Sequence, residues 1–211
     1  MTADNNDYIA PQILPSDNIK LISFNLHGFN QGSHVVRDLI LADDISVFLL
    51  QEHWLVPSNL VKFEASFPQF ECFGCSAMGK AVDEGVLRGR PFGGLMTLVS
   101  KKLSKNSKLL SANERCVIVA IGHVLICNVY FPCSGTPDRD LICYELLDTI
   151  QYWIQKYPEF MHIIGGDFNT CLSTANPTSN TINQFITEHG LVRCDSLGGA
   201  LNLPTFRNES Q

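Results

Sequence analysis

Four polar positions in this sequence each close an apolar run. They are Asn25 after Leu21–Phe24, Glu52 after Val47–Leu50, Tyr130 after Val124–Val129, and Asp167 with Asn169 after Ile163-Ile-Gly-Gly. Together these residue types could carry one reaction. A lone Glu with an Asp/Asn pair supplies the few hard oxygens that hold a single divalent cation, leaving water and a phosphate oxygen to complete its shell. Such a cation stabilises charge on a phosphodiester and on its leaving oxygen. An Asp can take a proton from an attacking water while an Asn holds that water in line. A phenol near a strand end can donate to a non-bridging phosphate oxygen. Taken singly, each residue has a plainer reading: Glu52 can satisfy backbone groups, Gly165-Gly-Asp-Phe-Asn169 can close an Asx-type turn, and Tyr130 can be core.

The elements that must position these residues are legible from periodicity. Lys20–Phe24 reads as a strand ending in the turn-rich Asn25-Leu-His-Gly-Phe-Asn. Residues 35–41 fit a helix with Ser33 as N-cap. Ile45–Leu50 is a continuous apolar run of strand length, as expected of a strand buried on both faces. A short helix is expected over 58–66, a strand over 69–75, a glycine-bearing loop over 77–91 and a strand over 94–100. Cys116–Ile121 and Val124–Tyr130 flank Gly122-His123, a two-residue spacer with Gly first that suits a type II′ hairpin. Residues 137–157 form the longest helical pattern, with Leu141, Leu147, Ile150 and Ile154 on one stripe. A strand over 160–164, a helix over 182–189 and a last strand over 191–194 complete the series. Strands outnumber helices, and hairpins mix with crossovers. Two packed sheets with helices outside satisfy that pattern. A dinucleotide-binding fold would need a Gly-rich phosphate turn after the first strand, and Asn25-Leu-His-Gly is not one.

Composition narrows the class. The 211 residues fit one domain, 45% hydrophobic and 17% charged, with a formal net charge of −6. That charge argues against a broad electrostatic grip on nucleic acid, though not against a local one through a basic strip and a cation. Lys101, Lys102, Lys105 and Lys108 read as solvated charges; Arg88 and Arg90 form a second short strip. Residues 1–18 look like a loose arm, polar and without the apolar region of a secretory signal. Residues 19–211 form the domain. No stretch is long and apolar enough for a membrane-spanning helix, so the chain is expected to be intracellular, nuclear or cytoplasmic, with no membrane partner. Eight cysteines in such a setting read as reduced thiols. Cys72-Phe-Gly-Cys75 lacks the second ligand pair that a zinc site needs.

Taken in order, the polar segments resemble one family, the endonuclease/exonuclease/phosphatase superfamily, which includes abasic-site endonucleases and retrotransposon nicking endonucleases. The matching segments are Phe24-Asn25-Leu-His-Gly28, Leu50-Gln51-Glu52-His-Trp54, Asn128-Val-Tyr130-Phe-Pro132 and Gly165-Gly-Asp167-Phe-Asn169. Gly89-Arg-Pro-Phe-Gly-Gly94 is similar to a segment of the nicking endonucleases of non-LTR retrotransposons. The resemblance runs from about Lys20 to Phe206 and implies an α/β fold, a two-sheet sandwich layered α/β/β/α. It implies a Mg²⁺ cofactor, with Mn²⁺ as the alternative, and DNA phosphodiesters as substrate. It implies Glu52 as the metal ligand, with Asn25 and Asp167 also at the metal. Asn25 would orient Asp167 and the phosphate, Tyr130 would contact the scissile phosphate, and Asp167 with Asn169 beside it would manage the attacking water. In the retrotransposon setting a reverse transcriptase region would lie downstream in a longer polyprotein.

The departure lies near residue 211. Family members finish with a Ser-x-Ile-Asp-type strand and a Ser-Asp-His strand end, and no Asp-His dipeptide occurs here. The resemblance therefore implies a sandwich lacking its last strand or strands and an impaired activity. His27 and His53 read first as parts of the motif turns and second as substitutes for that histidine; His123, His162 and His189 are expected to face away. Two other functions stay open at the level of sequence: a phosphodiesterase or phosphatase acting on a small or lipid phosphate, and a catalytically dead binding module of the same fold.

Overall fold

The computed structural model describes residues 19–85, 89 and 91–196. The arm over 1–18, Arg88 and Arg90 lie outside the described residues. The first half of the chain builds one sheet and the second half builds another. The first half contributes β1 (Leu21–Asn25), α1 (Phe29–Ala42), β2 (Val47–Gln51), α2 (Val61–Ser66), β3 (Phe70–Cys75), α3 (Gly79–Asp83), β4 (Leu95–Ser100) and α4 (Lys101–Ser104). The second contributes β5 (Ser107–Ala112), β6 (Cys116–Ile121), β7 (Val124–Tyr130), α5 (Arg139–Lys156), β8 (Met161–Asp167) and α6 (Pro177–Glu188). The strand orders are β1-β2-β4-β3 and β5-β6-β7-β8. Both sheets are mixed: β1 runs parallel to β2 and β7 parallel to β8, while the other neighbours are antiparallel.

Three apolar clusters define four layers. Val47, Leu49, Val99, Val117, Val119 and Ile126 interdigitate between the sheets. Phe48, Leu50 and Leu98 on the outer face of the first sheet bury Phe29, Val36 and Phe63 from its helices. Ile118, Leu125 and Cys127 on the outer face of the second bury Leu146, Ile150, Trp153, Ile182 and Phe185. The result is the expected α/β/β/α sandwich, with β2, β6 and most of β4 and β7 buried on both faces, as their uninterrupted apolar sequences require. Among the described residues, β1 and β8 are edge strands packed against each other on one side of the sandwich, and both are largely half-buried. Among the described residues no helix is long and apolar enough to cross a membrane.

Several boundaries differ from the sequence reading. α1 begins at Phe29, so Ser33 is a buried residue within the helix and not its cap. Tertiary contacts extend the helix: the Phe29 N–H donates to His53 O at 2.9 Å, and its ring meets Phe63 edge-on at 4.8 Å. α6 begins at Pro177 because Asn176 and Ser179 form a reciprocal capping box. The expected strand over 191–194 is not a strand. Leu191–Arg193 is irregular and Cys194–Ser196 is a 3-10 turn, with the Arg193 side chain donating to Ser173 and Asp195. The loop over 77–91 contains α3, and α4 and β5 went unforeseen. β5 shows no alternation because it is an edge strand with a bulge between Leu109 and Ser111. Gly122 has φ 55 while His123 stays outside the positive-φ region, the type II′ pattern expected of that hairpin.

Candidate active site

The parallel pairs set the site. β1 and β2 end together at Asn25 and Gln51, and β7 and β8 end together at Tyr130 and Asp167. Both sheets point these ends the same way, so four segments far apart in sequence meet at one end of the sandwich. The Asn25 amide nitrogen donates to Glu52 Oε1 at 2.9 Å and to Asp167 Oδ2 at 2.8 Å, joining the two sheets through one NH₂ group. The Tyr130 hydroxyl donates to the same Glu52 Oε1 at 3.0 Å. The Trp54 indole N–H donates to Glu52 Oε2 at 3.2 Å. The other Asp167 oxygen, Oδ1, accepts the Asn169 N–H at 2.9 Å, and the Asn169 amide donates to Phe131 O at 2.8 Å. Asn25, Glu52, Tyr130, Asp167 and Asn169 are all half-buried. Every one of the five expected site residues therefore lies in a single hydrogen-bonded group.

The turns that hold these groups are strained. Glu52 and Trp54 both have φ 55, His27 has φ 49 and Asn169 has φ 47, a conformation that L side chains with a Cβ adopt at a cost of roughly 1–2 kcal/mol. The surroundings enforce it. Gly28 N donates to Glu52 O at 2.8 Å and Trp54 N to Gly93 O at 2.9 Å, which ties the loop after β2 to its neighbours on both sides. His53, between the two strained residues, is fully buried. Its Nδ1 accepts the Leu55 N–H at 3.0 Å, so its Nε2 carries the hydrogen and donates to Cys75 O, also at 3.0 Å. Burial lowers its pKa from 6.5 to about 4, partly offset by the bond to Cys75. A buried neutral imidazole with both nitrogens engaged is a structural pin, so His53 is not the substitute acid or base. The Gly93-Gly94 pair makes room for it: a Cβ on Gly94 would lie 2.3 Å from the His53 ring, and Gly94 has φ 89. His27 is exposed beside Trp54, with ring centroids 4.6 Å apart.

The donor set fits one hard cation. Two carboxylates from different sheets converge on a single amide nitrogen, with oxygens turned to the same space. Among the described residues no group of three or more His, Cys, Asp or Glu is placed to hold a metal ion. Two protein oxygens with water and phosphate completing the shell is the arrangement Mg²⁺ favours. Asn25 presents its NH₂ to the acidic pair and its oxygen to the His27 N–H at 3.0 Å, so a ligand role for it needs the amide turned over. Burial, and then the Glu52 carboxylate, pushes the Tyr130 phenol well above its ordinary range, so it stays a hydrogen-bond donor. The cysteine pair takes no part. Cys72 and Cys75 lie three apart on β3 and so face opposite sides of the sheet, and burial pushes them up to about 12 and about 11.

Three supporting groups carried no role in the sequence reading. Arg139 at the start of α5 donates from Nε to Pro132 O at 3.1 Å and from Nη2 to Asn169 O at 3.0 Å, tying the loops after β7 and β8. Beneath the site the buried Gln51 amide donates to Asn128 Oδ1 at 2.8 Å. Asn128 Nδ2 in turn lies 3.2–3.3 Å from Leu50 O, Met96 O and Thr97 Oγ1. A polar residue inside an apolar strand was the available signal for Asn128; Arg139 had none.

No family model matches the chain, and no curated protein matches it in sequence. Solved structures do. The AP endonuclease LMAP from Leishmania major matches with a TM-score of 0.60 at 14% identity, over 86% of this chain and 72% of that one. The chain has the AP endonuclease-like fold. The 3′ phosphatase NExo from Neisseria, solved with a product DNA hairpin, matches this fold with a TM-score of 0.59 at 14% identity, over 82% of this chain and 71% of its own. The endonuclease domain of TRAS1, a telomere-specific non-LTR retrotransposon, matches with a TM-score of 0.56 at 15% identity, over 82% and 71%. At these identities the likeness is one of fold, of the endonuclease/exonuclease/phosphatase type; the chemistry rests on the side chains.

Proposed function

We propose that this chain is a divalent-cation-dependent phosphodiester hydrolase that nicks DNA, as part of a retrotransposon-type protein. The observation that carries the reading is the acidic pair: Glu52 and Asp167, from different sheets, share the Asn25 amide, with Tyr130 on the same Glu52 oxygen. Glu52 and Asp167 would hold Mg²⁺ or Mn²⁺, which would supply charge stabilisation to the phosphate and leaving oxygen. Asn25 keeps the two carboxylates in register. Asp167 accepts the proton of the attacking water, and Asn169, fixed through Phe131 O and Arg139, sets the direction from which that carboxylate meets it. Tyr130, kept protonated, donates to a non-bridging phosphate oxygen once its hydroxyl leaves Glu52. The DNA substrate is supported by structural neighbours that include an AP endonuclease, a 3′ phosphatase bound to a product DNA hairpin and the endonuclease domain of a non-LTR retrotransposon. The retrotransposon setting is supported by TRAS1 and by the Gly89–Gly94 segment, whose Gly93 and Gly94 brace the loop carrying Glu52.

The test is substrate competition. Full-length protein with Mg²⁺ is given an end-labelled duplex, with a small phosphodiester and an inositol phosphate as competitors. Cleavage of the duplex to 3′-hydroxyl and 5′-phosphate ends, blocked by chelator and barely affected by the small phosphates, is the expected result. Hydrolysis of the small phosphates alone would overturn the DNA reading.

A further inference from the structure

Two arginines lie at the site end of the second sheet, and their donors are in opposite states. Arg139 is committed to the carbonyls of Pro132 and Asn169. Arg115 is not. The β6–β7 register pairs Cys116 with Val129, and one step further it sets Arg115 opposite Tyr130, whose N–H donates to Arg115 O at 2.9 Å. Alternation along β6 puts Val117 and Val119 between the sheets, so Arg115 shares that inner side with Tyr130. Its backbone is fixed: Asn113 Oδ1 accepts both the Arg115 and Cys116 N–H groups at 2.8 Å. The guanidinium carbon sits 5.3 Å from the centroid of the Tyr130 ring. The side chain is half-buried, and among the described residues its guanidinium makes no hydrogen bond or ion pair. It does not pair with Glu52 or Asp167 although Tyr130 bonds directly to Glu52.

A half-buried guanidinium that makes no hydrogen bond or ion pair among the described residues, and that lies against an aromatic ring at the mouth of an acidic site, is a ready fork for an anion. We infer that Arg115 is a phosphate-binding residue that grips a backbone phosphate of the bound DNA beside Tyr130. This rests on the nuclease reading and adds what that reading lacks in a chain of net charge −6, a placed cation for the substrate strand. The ring contact narrows where the guanidinium can lie before substrate arrives, so a phosphate can be met with less loss of side-chain freedom.

The experiment is binding of a labelled duplex by the full-length protein in Ca²⁺ across a salt series, with Mg²⁺-dependent nicking measured alongside. Arg115→Gln weakens binding by about ten-fold, and the slope of log K against log salt falls by roughly 0.9, the share of one phosphate contact. The melting temperature is kept. Arg115→Lys retains the stem and charge, so it keeps the wild-type slope while losing affinity a few-fold. Wild-type nicking with an unchanged slope and affinity in the Gln variant overturns the assignment and leaves the nuclease reading standing. If the Gln variant does not fold, a Lys variant of unchanged affinity overturns it instead. A wild-type protein that neither binds nor nicks DNA overturns the nuclease reading, and the assignment falls with it.

Discussion

At the scale of residues, Asn25 joins the two halves of the candidate site. Because one amide nitrogen holds both carboxylates, Asn25→Ala should lower the nicking rate by roughly 10²-fold, the effect of a small misplacement of reacting groups, while leaving the fold intact. Rate and melting temperature measured together check this. His53 makes a prediction about pH. Its pKa is about 4 in the fold against 6.5 for an ordinary histidine, so the unfolded chain binds the extra proton. Its contribution is full above about pH 6.5 and is lost as pH falls towards 4, on the order of 3 kcal/mol across that window. Denaturant melts of wild type and His53→Gln should differ in slope within that range and run parallel above it. The five acidic, amide and phenolic residues were legible in sequence because each sits at the end of an apolar run, where a buried strand meets solvent. Trp54, Arg139 and Arg115 were not legible, since their roles depend on partners chosen by the fold: a carboxylate oxygen two residues away, two loop carbonyls and a cross-strand ring.

At the scale of elements, the buried strands were easy to read and the helix starts were not. β2 and the β6–β7 hairpin announced themselves through unbroken apolar runs and a Gly-first turn. α1 started early because its first turn is held by contacts with His53 and Phe63, which no local pattern reveals. α6 carried its own signal in Asn176-Pro177-x-Ser179. Its capping box predicts that Asn176→Ala costs about 1 kcal/mol by thermal melting. Gly166 predicts more. It has φ +147, and a Cβ there would lie 2.0 Å from Val129 O on the neighbouring strand. Gly166→Ala should therefore cost at least about 3 kcal/mol, since backbone and not a flexible side chain stands in the way. Soluble yield and melting temperature report it, and a near-wild-type melt would refute the close β7–β8 approach.

At the scale of the whole molecule, each half of the chain makes one sheet, and the site exists only where the two sheets are held in register. The outer apolar clusters belong to one half each, so the inner cluster and the polar bridge beneath the site do the joining. Gln51 and Asn128 form that bridge, with Asn128 reaching Leu50 O and Met96 O across the gap. Asn128→Ala would leave several buried groups unpaired and should cost on the order of 3 kcal/mol, with nicking lost before the fold is. The sandwich was legible from the number of buried strands and their mixed connections. The order within each sheet was not, because an apolar strand buried on both faces does not say which neighbours it has.

The central claim is that Glu52 and Asp167 act as one cation-dependent centre. The most direct measurement is conversion of supercoiled plasmid to nicked circle by the wild-type protein with Mg²⁺, beside Glu52→Ala and Asp167→Ala variants of matched melting temperature. Nicking by the wild type, abolished by chelator and by either substitution, is the predicted result. No nicking by a folded wild type, or nicking that survives the loss of either carboxylate, would contradict it.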